Sequence, residues 1–406
     1  MRTAQHYDII IIGAGLIGTS MVVALQNQGL KIAIIETHLP GVTTEDTRPL
    51  TLSYGSMIIL ESLHLWSAIG ESACAIHTVH VSNQGALGAI HFQAQEHHVP
   101  ALGYVVSLLE LQRALYHRAI VQEGVDMILI HQLCQITCDA KESTVVVNTA
   151  QGELELRASL LIAADGTHST ARALLRIATE QQDYNDVAFI AEMQWTHPHH
   201  GIAYERFTRE GTLAILPLFN RCHGRLVWTM DKKISDQVKQ WSDEALRHHV
   251  QNCFLHRLPT IAMMQRGACF PLKIITATEQ IRPGLVLLGN AAHTIYPIAA
   301  QGFNLGLRDV AALAEVIVAA KKAGKSLGDF ALLQEYYHWR QADQNRVGRF
   351  TANITNVFEL QLPLLSSMRG LGLLSIDLLL PIKKRIAKQM MGLSGRLPRL
   401  ARGVEL

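Results

Sequence analysis

Apolar residues come in unbroken blocks along the first third of the chain, and each block stops at a small residue. Tyr7 to Ile12 is such a block, closed by Gly13. Leu16 to Gln28 then has helical periodicity and ends at Gly29, and Lys31 to Ile35 is a second block. Blocks without alternation suit strands buried on both faces, so the segment predicts a strand–helix–strand unit of about 30 residues with the helix as crossover. Helices are predicted near Tyr54 to Leu63 and over Leu108 to Gln122, with short strands around Met127 to Ile136 and Ser143 to Val147. A strongly apolar strand, Ser159 to Ala164, stops at Asp165-Gly166. Leu285 to Leu288 is another short strand, and Phe303 to Lys322 is an amphipathic helix. Buried strands therefore end in small or acidic residues near positions 13, 165 and 290.

Between the second and third of these ends the pattern changes. Val187 to Trp195, Ile202 to Thr208, Thr212 to Leu218 and Arg225 to Met230 read as successive strands separated by turn residues. An antiparallel sheet inserted into an α/β nucleotide-binding domain accounts for this order. The last forty residues change again: Arg369, Lys383, Lys384, Arg385, Lys388, Arg396, Arg399 and Arg402 are set among Leu, Ile and Met, opposed only by Asp377 and Glu405.

Composition narrows the picture. With 406 residues, 49% of them hydrophobic, 17% charged and a net charge of +2, the chain can bury a large core and shows no electrostatic footprint for nucleic acid. Its six cysteines lack CxxC spacing and follow no secretory signal, so reduced thiols in a cytoplasmic protein, with neither disulfide nor metal, are expected. The pairs His97-His98 and His199-His200, with His197, lack thiolate or carboxylate partners at ligand spacing and read as solvated loop residues. No apolar run reaches the roughly 18 residues of a membrane span.

Gly13-Ala14-Gly15-Leu16-Ile17-Gly18 fits the dinucleotide fingerprint. The first glycine makes the turn, the second admits a pyrophosphate and the third allows close helix packing. Glu36 ends the following strand, where a carboxylate can accept hydrogen bonds from ribose hydroxyls and repel a 2′-phosphate. Asp165-Gly166-Thr167-His168-Ser169-Thr170-Ala171-Arg172 has the spacing DGxxSxxR. Gly289-Asn290-Ala291-Ala292-His293 leads through Pro297 to Gln301-Gly302-Phe303-Asn304, joining a buried strand to a helix start whose backbone N–H groups can face an electron-rich ring.

These motifs, in this order, resemble those of the class A flavoprotein monooxygenases of the p-hydroxybenzoate hydroxylase-like fold. Tyr296 to Asp309, Ala101 to Val106 and Met391-Gly392-Leu393 are similar to segments of the ubiquinone-biosynthesis hydroxylases. The family usually has Asp at the position of Asn290 and Gly at that of Ala300. Asn still donates to and accepts from ribityl hydroxyls, and Asn here resembles the branch acting on 2-octaprenyl-6-methoxyphenol.

The resemblance implies a Rossmann-like FAD-binding domain with an inserted antiparallel β-sheet substrate domain and C-terminal helices. Its boundaries are residues 1–75, 108–180 and 276–350 for FAD binding, 76–107 and 181–275 for the substrate domain, and 351–406 for a basic-apolar helical region. It implies cofactor contacts from Gly13, Gly15, Gly18, Glu36, Arg48, Arg113, Asp165, Gly166, Asn290, Gln301, Gly302, Phe303 and Asn304, with Pro297 and Gly302 forming the flavin-facing wall. No side-chain base is assigned. His293 and Tyr296 either touch substrate or pack, and Glu192 and Glu205 stay unassigned.

The implied reaction is hydroxylation of a polyprenylated methoxyphenol in ubiquinone biosynthesis, through a flavin C4a-hydroperoxide formed from O2. NAD(P)H or another donor would bind transiently. Strands Leu213 to Leu218 and Val187 to Met193 are expected to line an apolar tunnel for the prenyl tail. The basic C-terminus would meet either the inner face of the cytoplasmic membrane, as a peripheral contact, or other ubiquinone-biosynthesis proteins. Another ring position, a flavin-dependent prenyl reductase and a non-catalytic scaffold subunit stay open as alternatives.

Overall fold

The computed structural model describes residues 4–39, 49–85, 88–296, 301–359, 377 and 379–406. Strands Leu285–Leu287, Gly152–Ala163, Gln5–Ile12, Ile32–Glu36 and Val125–Leu129 lie side by side, all parallel. The hairpin of Gln132–Cys138 and Ser143–Thr149 joins this sheet antiparallel along Gly152–Ala163.

Both faces are covered, which is why the strands read as unbroken apolar blocks. Ile9, Ile11, Ile32, Ile34, Leu160 and Ile162 pack against helices Leu16–Ala24, Leu108–Ile120 and Gln301–Lys322. Ile10, Ile12, Ala33, Ile35, Leu161 and Ala163 pack on the other face against Leu133, Ile136, Val145 and Val147. Neighbouring residues therefore serve opposite cores. The first helix is shorter than its periodicity predicts: it stops at Ala24, and Leu25 to Gln28 form a turn that reaches the left-handed region at Asn27.

The second sheet follows the order His293–Thr294, Ile261–Ala277, Thr179–Trp195, His223–Asp231, Gly211–Pro217, Ile202–Thr208, Thr78–Asn83 and Ala89–Gln93. Its pairings are antiparallel except that of Ile202–Thr208 with Thr78–Asn83. One face carries a core of Trp195, Trp228, Leu213, Phe189 and Met193 covered by helix Asp243–Phe254. Thus Val187, Phe189, Met193 and Leu213, expected along a tunnel, belong to this separate core; period-2 alternation leaves Ala214 and Leu216 for the opposite face. A small sheet, Pro49–Ser53, Gly103–Ser107 and Cys74–Ile76, sits beside the two larger ones.

The C-terminal region folds back onto the body. Helix Leu380–Met390 buries Lys383, Ala387 and Gln389, and Met391 accepts a backbone hydrogen bond from Gly55 at 2.8 Å. Three residues of the expected basic surface are committed to the protein itself; one of them, Arg399, donates from its guanidinium to Glu405 O at 2.8 and 3.0 Å. Lys383 is buried, with its ammonium 3.0 Å from Glu96 and 3.1 Å from Asp377, and Arg396 stacks on Trp339 at 4.0 Å. Lys384, Arg385, Lys388 and Arg402 stay exposed. Arg369 lies outside the described residues, and among the described residues no helix is long and apolar enough to cross a membrane.

Candidate active site

The three motif-bearing strand ends meet at one edge. Register aligns Ile12 with Ala163 and Ala163 with Leu287, so Gly13, Asp165 and Gly289 emerge together at the carboxyl edge of the parallel strands. The backbone ladder continues past the strands: Gly13 N–H donates to Ile35 O, Ala164 N–H to Ile12 O and Leu288 N–H to Ala163 O, each at 2.8 Å. Carboxyl edges of parallel sheets are where α/β proteins bind ligands.

Glycines at this edge divide into those that pack and those that open. A Cβ on Gly18 would lie 1.8 Å from Gly13 O, and one on Gly13, which has φ +100°, would lie 2.6 Å from Ala164 O. Gly15 and Gly166 face the other way: among the described residues, an added Cβ at either meets nothing within 4 Å. Gly15 is also the N-cap of helix Leu16–Ala24, with no side chain capping it, so its helix end presents free N–H groups to an anion. Glu36 accepts from Ala14 N–H at 2.7 Å and from Thr37 N–H at 2.7 Å. Its carboxylate keeps lone pairs for hydroxyl donors.

The second and third motifs are cross-linked. Arg172, buried, donates to Ala291 O and to Thr167 O, both at 2.8 Å. Asp165 accepts from Ala171 N–H at 2.9 Å and Ser169 caps the short helix Thr170–Leu174. Asn290 reaches Thr167 Oγ1 at 3.4 Å and is otherwise exposed at the opening. Ile17 locks the first motif to the third, because a Cβ on Gly289 would lie 2.9 Å from it and one on Gly306 2.7 Å.

Helix Gln301–Lys322 begins beside this edge. Among the described residues, a Cβ added to Gly302 would meet Ile295 at 4.0 Å. Asn304 uses its amide to hold the small sheet, accepting from Ser53 N–H at 2.8 Å and donating to Thr51 O at 2.9 Å. Phe303 packs half-buried on the main core, and Arg113 is exposed on helix Leu108–Ile120. Arg48, Pro297 and Ala300 lie outside the described residues.

His293 and Tyr296 are packed. His293 sits 2.7 Å from Asp309, whose second oxygen is 2.5 Å from Arg340. Arg340 and Arg308 share Asp343 at 2.7 and 2.9 Å. Tyr296 donates to Asp186 at 2.5 Å. This buried lattice of charges joins the end of the Gly289-to-His293 segment to helices Gln301–Lys322 and Phe330–Glu359, and sequence spacing gave no sign of it beyond the apolar context of Arg308 and Asp309.

A cavity of about 140 Å³ opens between the small sheet, the free face of the second sheet and the C-terminal helix. Leu102, Ile76, Phe92, Leu216, Met390 and Met391 make it apolar, and Gln301 and Asn304 connect it to the helix start. A dry cavity of about 150 Å³ holds one benzene ring, so this one has room for an aromatic ring. Glu205 also lines it.

The open glycines, the free helix N-terminus and the hydroxyl-accepting Glu36 fit a flavin dinucleotide. A model described as FAD binding domain matches residues 6–351. 3-Demethoxyubiquinol 3-hydroxylase of Escherichia coli strain K12 is 30% identical, over 96% of this chain and 100% of that protein. Ubiquinone hydroxylase UbiL of Rhodospirillum rubrum is 27% identical, over 98% and 93%. Among solved structures, p-nitrophenol 4-monooxygenase PnpA from Pseudomonas putida superposes with TM-score 0.78 at 18% identity, covering 97% of this chain and 99% of that one. The chain belongs to the FAD binding domain family, among the FAD-dependent monooxygenases that include the ubiquinone hydroxylases.

Proposed function

We propose that the protein hydroxylates the aromatic ring of a polyprenylated methoxyphenol in ubiquinone biosynthesis. The observation that carries this reading is the apolar, ring-sized cavity reached from the start of helix Gln301–Lys322, beside the cofactor edge. Bound FAD, reduced by NAD(P)H, supplies the activated oxygen. The chain's own residues do the rest. Gly15 and Gly166 admit the dinucleotide, Glu36 takes ribose hydroxyls, and Asn290 lies where ribityl hydroxyls would pass. N–H groups near Gly302 favour the electron-rich end of the ring system. Leu102, Phe92, Met390 and Met391 exclude water from the cavity.

A membrane-resident substrate is supported by helix Leu380–Met390. Leu379, Leu380 and Ile382 are exposed there beside exposed Lys384, Arg385 and Lys388, while Ala387 and Met390 on the same helix line the cavity. Apolar residues flanked by cations suit an anionic lipid surface, so one element would face both lipid and substrate.

The test is intermediate profiling in a strain lacking the gene, together with oxygen uptake by the purified FAD-loaded enzyme. Accumulation of the unhydroxylated prenyl methoxyphenol and substrate-dependent oxygen consumption are expected. Accumulation of a different ring intermediate rejects the chosen ring position, and substrate reduction without oxygen uptake rejects the monooxygenase reading in favour of a prenyl reductase.

A further inference from the structure

Glu205 stands on strand Ile202–Thr208, on the sheet face that forms the cavity wall. Cross-strand register puts Ala214 directly opposite it on one side and Val81 on the other, and Val227 lies opposite Ala214 one strand further. Directly opposed residues share a face, and Ala214 and Val227 line the same cavity. The carboxylate therefore sits in an apolar row. Among the described residues lining the cavity it is the one charged side chain, and no hydrogen bond or ion pair from a described residue reaches it.

Glu205 is half-buried, and a carboxylate partly withdrawn from water without a partner is costly to keep unless it has a use. Its neighbours Tyr204 and Arg206 point to the opposite face, where Tyr204 packs on Phe254 and Arg206 donates to Cys253 O at 2.9 Å and to Ser82 at 3.0 Å. Removal from water, with no opposing charge, pushes the Glu205 carboxyl up to about 7. A base is most effective when it titrates near the working pH.

We propose that Glu205 accepts the hydrogen bond of the bound phenol hydroxyl and takes its proton. The proton passes from the phenol oxygen to a carboxylate oxygen of Glu205, leaving a phenolate and a neutral carboxylic acid; the O–H electron pair stays on the phenol oxygen and no oxidation state changes. The phenolate ring is richer in electrons at its ortho and para carbons, which is what an electrophilic oxygen needs. The proton returns when the phenolic product leaves. This assignment rests on the reading of the substrate as a phenol.

The experiment uses the full-length FAD-loaded enzyme with 2-methoxy-6-geranylphenol as probe, following flavin perturbation for binding, phenolate absorbance of the bound probe, and product formation across pH. In the wild type, kcat is expected to rise through a single group near pH 7, and the bound probe to ionise at lower pH than the free one. Glu205→Gln is expected to keep FAD, lower kcat about 100-fold with KM changed only a few-fold, and abolish the rising limb; Glu205→Asp restores the limb in part. Wild-type kcat and an unchanged pH profile in Glu205→Gln would overturn the proposal. If Glu205→Gln does not hold FAD, the wild-type titration decides: probe ionisation at its free-solution pH overturns the assignment. A wild-type enzyme that neither binds nor oxygenates the phenol fails before any substitution is made, and overturns the substrate reading together with the assignment.

Discussion

His293 Nε2 stands 2.7 Å from Asp309 Oδ2, with both side chains buried. His293 ends the Gly289-Asn290-Ala291-Ala292-His293 motif, and Asp309 lies on helix Gln301–Lys322, so the pair clasps the motif to that helix. Arg340 completes the clasp on the other Asp309 oxygen. Asp309→Asn leaves the Arg340 guanidinium buried beside a neutral amide. We expect a loss of about 3–5 kcal/mol, the cost of breaking a buried pair from one side, read as a fall in the urea unfolding midpoint and weaker FAD retention.

The same carboxylate predicts a pH dependence. Burial works against its charge, but Arg340 and His293 overcome this and hold its carboxyl at about 2 against an ordinary 3.8. A pKa lowered on folding stabilises the protein above the unfolded value and loses that contribution as pH falls through the folded value. Asp343, lowered by Arg308 and Arg340 against the same burial, adds in the same direction. Stability is therefore expected to drop by about 2 kcal/mol from Asp309 alone between pH 5 and pH 2. Urea midpoints across this range should fall less steeply in Asp309→Asn.

Two glycines of one motif should fail differently. Gly18→Ala drives a Cβ to 1.8 Å from the Gly13 carbonyl, so the strand–helix turn cannot form and soluble folded protein should be lost. A Cβ added at Gly15 meets no atom of a described residue within 4 Å, so Gly15→Val leaves the turn in place. That variant should fold with near-native circular dichroism yet purify colourless, because the valine fills the approach of the pyrophosphate.

Lys383→Ala tests the hold on the C-terminal helix. It removes the ammonium that ties Glu96 to Asp377. Limited proteolysis within residues 379–395 should speed up about tenfold, equivalent to about 1.4 kcal/mol of local stability. KM for the phenol should rise, because Ala387, Met390 and Met391 line its cavity.

Charge reversal at Lys384, Arg385 and Lys388 together tests the lipid reading. These side chains are exposed, so folding and FAD content should be unchanged. Co-sedimentation with vesicles containing phosphatidylglycerol should fall at least tenfold, at about 1 kcal/mol per cation. Equal binding by the triple variant would discard the membrane role of this helix.

The cofactor edge was legible because its signals are local: an apolar block, a glycine at the turn and a helix start fall within about 30 residues. The second sheet was legible only in part. Strand Ile261–Ala277 has no unbroken apolar or alternating pattern because Gly267 and Pro271 interrupt it; Pro271 pairs with Val187 where the register shifts after Asp183, a place that tolerates the missing N–H. Lys383 reads as a surface cation because its partner Glu96 is far away in sequence. Glu205 was visible as a strand carboxylate, but which face it shares depends on Ala214 and Val227, and register between strands is not written in either strand alone.

The placement of Met390 and Met391 in the cavity wall ties that wall to sequence far away in the chain. Met391 O accepts from Gly55 N–H at 2.8 Å, and Thr51, Leu52 and Ser53 line the same cavity. Any fluctuation that lifts helix Leu380–Met390 therefore wets the chamber before the parallel sheet is disturbed, so local opening of this helix, and not global unfolding, sets how dry the chamber stays.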